Sequence, residues 1–133
     1  MKLTSRSEYA LLALVYLARQ DPDDYVSVEA IAKNQKIPPK FLEQIMLALK
    51  HGRYVHSVKG QHGGYRLAKA PDKITLAEVI RLFDGALAPV ESVSKYFYES
   101  TPIEKEKKLI HVFKKIRDMI AETLETTTLA DVL

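Results

Sequence analysis

Ten consecutive residues near the N-terminus, Tyr9-Ala10-Leu11-Leu12-Ala13-Leu14-Val15-Tyr16-Leu17-Ala18, offer no polar group but two phenols. Extended from about Ser5 to Arg19, the stretch reads as a helix that is apolar all round. Such a helix is stable in water only when it is covered on more than one side. It is too short to span a bilayer, and no small-residue cleavage site accompanies it. The expectation is therefore the central helix of a cytoplasmic globular protein with no membrane partner. A chain of 133 residues has enough material for one sizeable core and too little for two independent ones.

The segments that follow supply the cover. Asp21-Pro22-Asp23-Asp24 ends the first helix, and Tyr25-Val26 reads as a short strand. Ser27 is a good N-cap, with Glu29 in the first turn, for a short helix to about Gln35. The tight connection Lys36-Ile37-Pro38-Pro39 leads into a second helix from about Pro39 to His51. There Phe41, Leu42, Ile45, Met46 and Leu49 form an apolar stripe expected to be buried, while Lys40, Glu43, Gln44, Leu47 and Lys50 point the other way. Tyr54–Val58 and Tyr65–Leu67 read as two strands joined by the glycine-rich connection Lys59-Gly60-Gln61-His62-Gly63-Gly64.

Thr75-Leu76-Ala77-Glu78 is a capping box opening a helix to about Asp84, stopped by Gly85. Residues 86–102 read as irregular, with Tyr96-Phe97-Tyr98 expected to bury against the final helix. That helix should run from about Ile103 to Thr126, roughly 36 Å at 1.5 Å per residue. Leu109, Phe113, Ile116, Ile120 and Thr123 follow coiled-coil spacing, and Leu124 joins the set as a dimerisation residue. Thr128-Leu129-Ala130-Asp131 suits the cap of a last short turn. The order predicts a mainly α protein: a winged helix-turn-helix, with a three-helix core and a two-stranded wing, followed by a long dimerisation helix. On this reading residues 1–73 form the DNA-binding region and 74–133 the helical dimerisation or regulatory region of one compact domain.

Charge points to the partner. The net charge is +3, but residues 1–73 hold 12 Lys/Arg against 7 Asp/Glu, and the remainder holds 8 against 10. Between Lys33 and Lys69, eight basic residues face one acid, Glu43. A basic stretch so weakly opposed suits a phosphate polyanion, because neutralised phosphates release condensed counterions; a solvated basic surface is the plain alternative. In the second helix of such a pair, Lys40 is placed for guanine or phosphate, Gln44 for adenine and Glu43 for cytosine N4. The alternative for Glu43 is a plain surface pairing with a nearby lysine. The glycine-rich connection lacks the GK[ST] of a nucleotide-binding loop and joins two strands, so Lys59 and His62 read instead as wing-tip contacts.

No cysteine is present, which removes disulfides, thiolate metal sites and cysteine-held iron–sulfur clusters. His51, His56 and His62 have no helical ligand spacing, and no catalytic triad or carboxylate pair stands out, so neither a metal nor an enzyme is expected. Two other functions stay open: a winged-helix module that binds protein, and a metal or redox sensor built on histidines and carboxylates.

Several stretches resemble the IscR/NsrR/CymR-type ("Rrf-two") family of bacterial regulators. They are Met1-Lys2-Leu3-Thr4-Ser5 with Tyr9-Ala10, Phe41-Leu42-Glu43-Gln44, Val58–Leu67, Ile74–Ile80 and Thr127-Thr128-Leu129. The resemblance covers essentially the whole chain, and it is the combination of the [YF]LEQ and KGxxGGY segments that is specific. It implies a homodimer with crossing long helices, bound to a palindromic double-stranded DNA operator, usually to repress. It also implies Glu43 and Gln44 at the major groove, the Lys59–Tyr65 wing (Gly60, His62 and Gly63 included) near the minor groove, and Ser5 and Arg6 on the backbone; Lys50 joins the DNA-binding set by its place on the outer face of the same helix. Two departures matter. Leu47 and Ala48 stand where many relatives carry small polar and basic residues. The stretch Ala86–Lys108 lacks the three cysteines of cluster-binding relatives, and Glu8 and His111 cannot hold a cluster alone. The chain thus resembles the cluster-free branch, with no cofactor, in which a protein, a small-molecule effector or nothing at all adjusts DNA binding.

Overall fold

The computed structural model describes residues 1–133. Helix α1 (Ser5–Ala18) lies at the centre, touching α2 (Val28–Gln35), α3 (Pro39–His51), α4 (Leu76–Asp84) and strand β2 (Gly64–Leu67). This is the cover that its apolar sequence demanded. Thr4 caps α1, its hydroxyl accepting from the Ser7 amide at 3.3 Å. Ala10, Ala13, Leu14 and Leu17 of α1 are buried with Ile31 of α2, Leu42, Ile45, Met46 and Leu49 of α3, and Val55. Ile74, Val79 and Leu129 join the same core. The C-terminal segment therefore seals the first three helices rather than trailing from them. Thr75 and Thr128 form an isolated antiparallel bridge there, with the Leu76 amide donating to the Thr127 carbonyl at 2.9 Å.

Local signals explain the helix ends. The Ser27 hydroxyl accepts from the Ala30 amide at 3.1 Å, satisfying one of the free donors opening α2. Pro39 occupies the first turn of α3, where a missing amide proton costs nothing. Both halves of the capping box opening α4 form: Glu78 accepts from the Thr75 amide at 2.8 Å, and the Thr75 hydroxyl accepts from the Glu78 amide at 3.2 Å.

Strands β1 (Val55–Val58) and β2 pair antiparallel, His56 opposite Arg66 and Ser57 opposite Tyr65. Tyr25-Val26 contributes one bridge only: the Val26 and Tyr65 amides each donate to the other's carbonyl at 2.8 Å. Helix α5 (Lys107–Thr126) is shorter than expected, because Pro102–Lys105 forms a separate 3-10 turn. Its 20 residues span roughly 30 Å.

Two expectations of burial fail. Phe41, placed in the buried stripe of α3, is 59% exposed. Leu42 beside it is fully buried, but Phe41 sits at the edge of the stripe and lines an open groove with Ser5, Arg6 and Tyr9. Tyr96, Phe97 and Tyr98 are also exposed instead of buried against α5. Arg81 stacks on the Tyr96 ring at 5.1 Å, and Arg117 of α5 donates to the Val93 carbonyl at 3.0 Å, holding this segment by polar contacts.

Candidate nucleic-acid interface

Helix α3 presents Lys40, Phe41, Glu43, Gln44, Leu47 and Lys50 to solvent on the face opposite its buried stripe. Phe41, Gln44 and Ile45 line a groove of about 380 Å³ whose other wall is Ser5, Arg6 and Tyr9 at the start of α1. Ser5 and Arg6 therefore sit beside the reading helix, although more than thirty residues separate them in sequence. The Arg6 guanidinium is 5.4 Å from the centre of the Phe83 ring, which holds it at this edge. Asp84 anchors the same corner, accepting from the Thr4 amide at 3.2 Å and from the Thr4 hydroxyl.

The wing adjoins the other side of α3. Tyr65 is half-buried against the core, and its phenol is pushed above its ordinary value of 10.0, first by burial and then by the Glu43 carboxylate. Tyr65 thus belongs to the root of the wing, while Lys59, Gly60, Gln61 and His62 form its exposed tip. Tyr54, just before β1, is raised in the same way by burial and by the charge of Glu78. Gly63 and Gly64 are required by the chain's own close packing. A Cβ on Gly63 would lie 2.2 Å from the Val58 carbonyl oxygen, and one on Gly64 would lie 2.2 Å from that of Val26.

The eight basic residues between Lys33 and Lys69 separate into two groups. Arg66 lies 4.6 Å from the centre of the Tyr25 ring and Lys69 4.8 Å from that of Tyr54, so both are engaged within the fold. Lys33, Lys36, Lys40, Lys50, Arg53 and Lys59 are exposed and form no ion pair; the ion pairs are Arg81–Glu125 and Arg117–Asp118, both elsewhere. Glu43 likewise has no lysine or arginine partner. That division was invisible in sequence, because Tyr25 and Arg66 stand 41 residues apart and Tyr54 and Lys69 15, and only the fold pairs them.

The structure also divides the proposed dimerisation set. Ile120 and Leu124 pack against Ala77, Ile80 and Leu87 of their own chain, and Phe113 is half-buried. Leu109 and Ile116 remain exposed, joined by Val112 and Met119, which periodicity alone had not singled out. Steps of three and four residues put these four on one face.

A family model described as "Iron-dependent Transcriptional regulator", Rrf2, matches residues 3–133. The chain is 31% identical over 131 residues to the transcriptional regulator CymR of Bacillus subtilis, covering 98% of this chain and 88% of that one. The solved structure of B. subtilis CymR, the "global cysteine regulator", superposes with a TM-score of 0.79 at 30% identity, over 99% of this chain and 95% of that one. The IscR structure from T. potens superposes with a TM-score of 0.76 at 28% identity, over 99% and 85% of the two chains. The iron of the family's description finds no fitting donor set here: these residues include no cysteine, and no three His, Asp or Glu side chains converge. With a winged helix-turn-helix fold and a match across nearly its whole length, the chain belongs to the Rrf2 family of helix-turn-helix transcription regulators.

Proposed function

We propose that the protein is a homodimeric repressor that reads a palindromic operator through α3 and works without an iron–sulfur cluster. The observation that carries this reading is the exposed face of α3 between unpaired cations. Six basic side chains from Lys33 to Lys59 have no partner within the chain. Gln44 is suited to adenine and Glu43 to cytosine, and Lys40 to guanine or phosphate. An acid near phosphates is unfavourable, so Glu43 acts mainly by excluding wrong bases. Lys50, Lys59, His62, Ser5 and Arg6 set position on the backbone. The exposed stripe Leu109, Val112, Ile116 and Met119 supports pairing of two α5 helices. With no donor set for a cluster, control falls to a protein or small-molecule effector, or to the level of the regulator itself.

The test is binding to the DNA upstream of its own gene across a salt series. Six phosphate contacts predict that affinity falls about a thousandfold between roughly 50 and 200 mM salt. Weak binding with a flat salt response would overturn the reading and favour a protein-binding module.

A further inference from the structure

Two residues other than glycine adopt the left-handed backbone conformation, Lys36 at φ 55° and Arg53 at φ 66°. A Cβ makes this region unfavourable, whereas glycine enters it freely. Both residues are exposed, and both follow the end of a helix: Lys36 is the C-cap of α2, and Arg53 comes just after Gly52, the C-cap of α3. They bracket α3, one before Pro39 and the other beyond His51. Long cations thus stand at two places where the smallest residue would be free of strain. Nothing within the chain accounts for them, since neither side chain forms an ion pair or lies over an aromatic ring. The helix dipole favours a cation at each place, but that effect needs no DNA and can be separated by experiment.

We propose that Lys36 and Arg53 are phosphate contacts at the two ends of α3, setting its tilt and depth in the groove. The proposal rests on the DNA-binding reading above. The 13 residues of α3 span roughly 20 Å, and a major groove is about 12 Å wide. Cations at the two helix ends therefore meet the backbones bordering the groove, while Glu43 and Gln44 between them meet its floor. Residues held in sparsely populated backbone regions cluster at functional sites, where the strain is part of the mechanism.

The experiment combines thermal melting of the free protein with fluorescence anisotropy on a random-sequence duplex over a salt series. Lys36→Gly and Arg53→Gly relieve strain and remove charge together. Each should melt at an unchanged or higher temperature, yet bind DNA about thirtyfold more weakly at moderate salt, since the dimer loses two cations per substitution. The slope of log affinity against log salt should shrink by about 1.8 for each residue, counted over both protomers, and by about 3.6 for the pair. Lys36→Asn and Arg53→Asn, neutral residues that tolerate the same conformation, should reproduce the slope change, and Lys36→Arg should restore it. Lys107→Asn, on α5, should leave the slope unaltered. If the wild-type protein binds with a steep slope and the double glycine variant keeps it, the proposal fails and these cations serve only the helix ends. If the wild-type protein itself shows no salt-dependent binding, the DNA reading fails and this proposal with it.

Discussion

Glu43 and Gln44 occupy neighbouring exposed positions on α3, but an amide and a carboxylate act differently at a base edge. Gln44 both donates and accepts, matching adenine, while Lys59 at the wing tip offers only a mobile positive charge. Gln44→Ala should therefore relax preference at one operator position by about 1–3 kcal/mol, with little loss on random DNA. Lys59→Ala should weaken binding to every sequence alike and reduce the salt slope by about 2, one contact from each protomer. Anisotropy on a panel of operator variants separates the two patterns; equal behaviour would show that readout and positioning are not divided in this way. Much at this scale was legible beforehand, because polar residues recurring opposite an apolar stripe define an outer face whatever packs inside. Phe41 was not. Its spacing matches the buried stripe, but it sits at the stripe's edge and lines the open groove beside α1.

The wing is tied to the rest of the molecule by backbone as well as by the side chains of Val55, Tyr65 and Leu67. The Val26–Tyr65 bridge adds a short third segment to the two-stranded sheet, and Gly64 passes directly against the Val26 carbonyl. Gly64→Ala would put a methyl 2.2 Å from that oxygen. The loss should be about 3 kcal/mol, the upper end for overpacking, because backbone on both sides must move. Urea unfolding should show a lower midpoint with the slope unchanged; an unaltered midpoint would mean that the Val26 strand peels away without cost. The strands and glycines of the wing were legible in sequence, but the reason for the glycines was not. Only the fold shows that Gly63 and Gly64 pass directly against the chain's own carbonyls.

At the scale of the whole molecule, α5 carries two apolar faces. Ile120 and Leu124 face α4 and the Leu87 region of the same chain, while Leu109, Val112, Ile116 and Met119 face outward. Ile116→Asn should therefore shift the protein toward monomer and weaken operator binding, with little change in the secondary structure of each protomer. Ile120→Asn should instead lower stability by about 2–4 kcal/mol, because it places an unsatisfied amide against an apolar cluster. Sedimentation velocity and thermal melting distinguish the two; a dimer undisturbed by Ile116→Asn would remove this stripe from the interface. The apolar run Tyr9–Ala18, the paired helices around Pro39 and the glycine-rich hairpin determined the winged helix-turn-helix by themselves, because caps, proline, glycine and hydrophobic period are local signals. The tertiary structure alone decided which apolar residues of α5 are spent inside the chain, which cations Tyr25 and Tyr54 engage, and that Ser5 and Arg6 share a groove with Gln44. Burial and pairing depend on which surfaces meet across long sequence separations, and no local pattern encodes that.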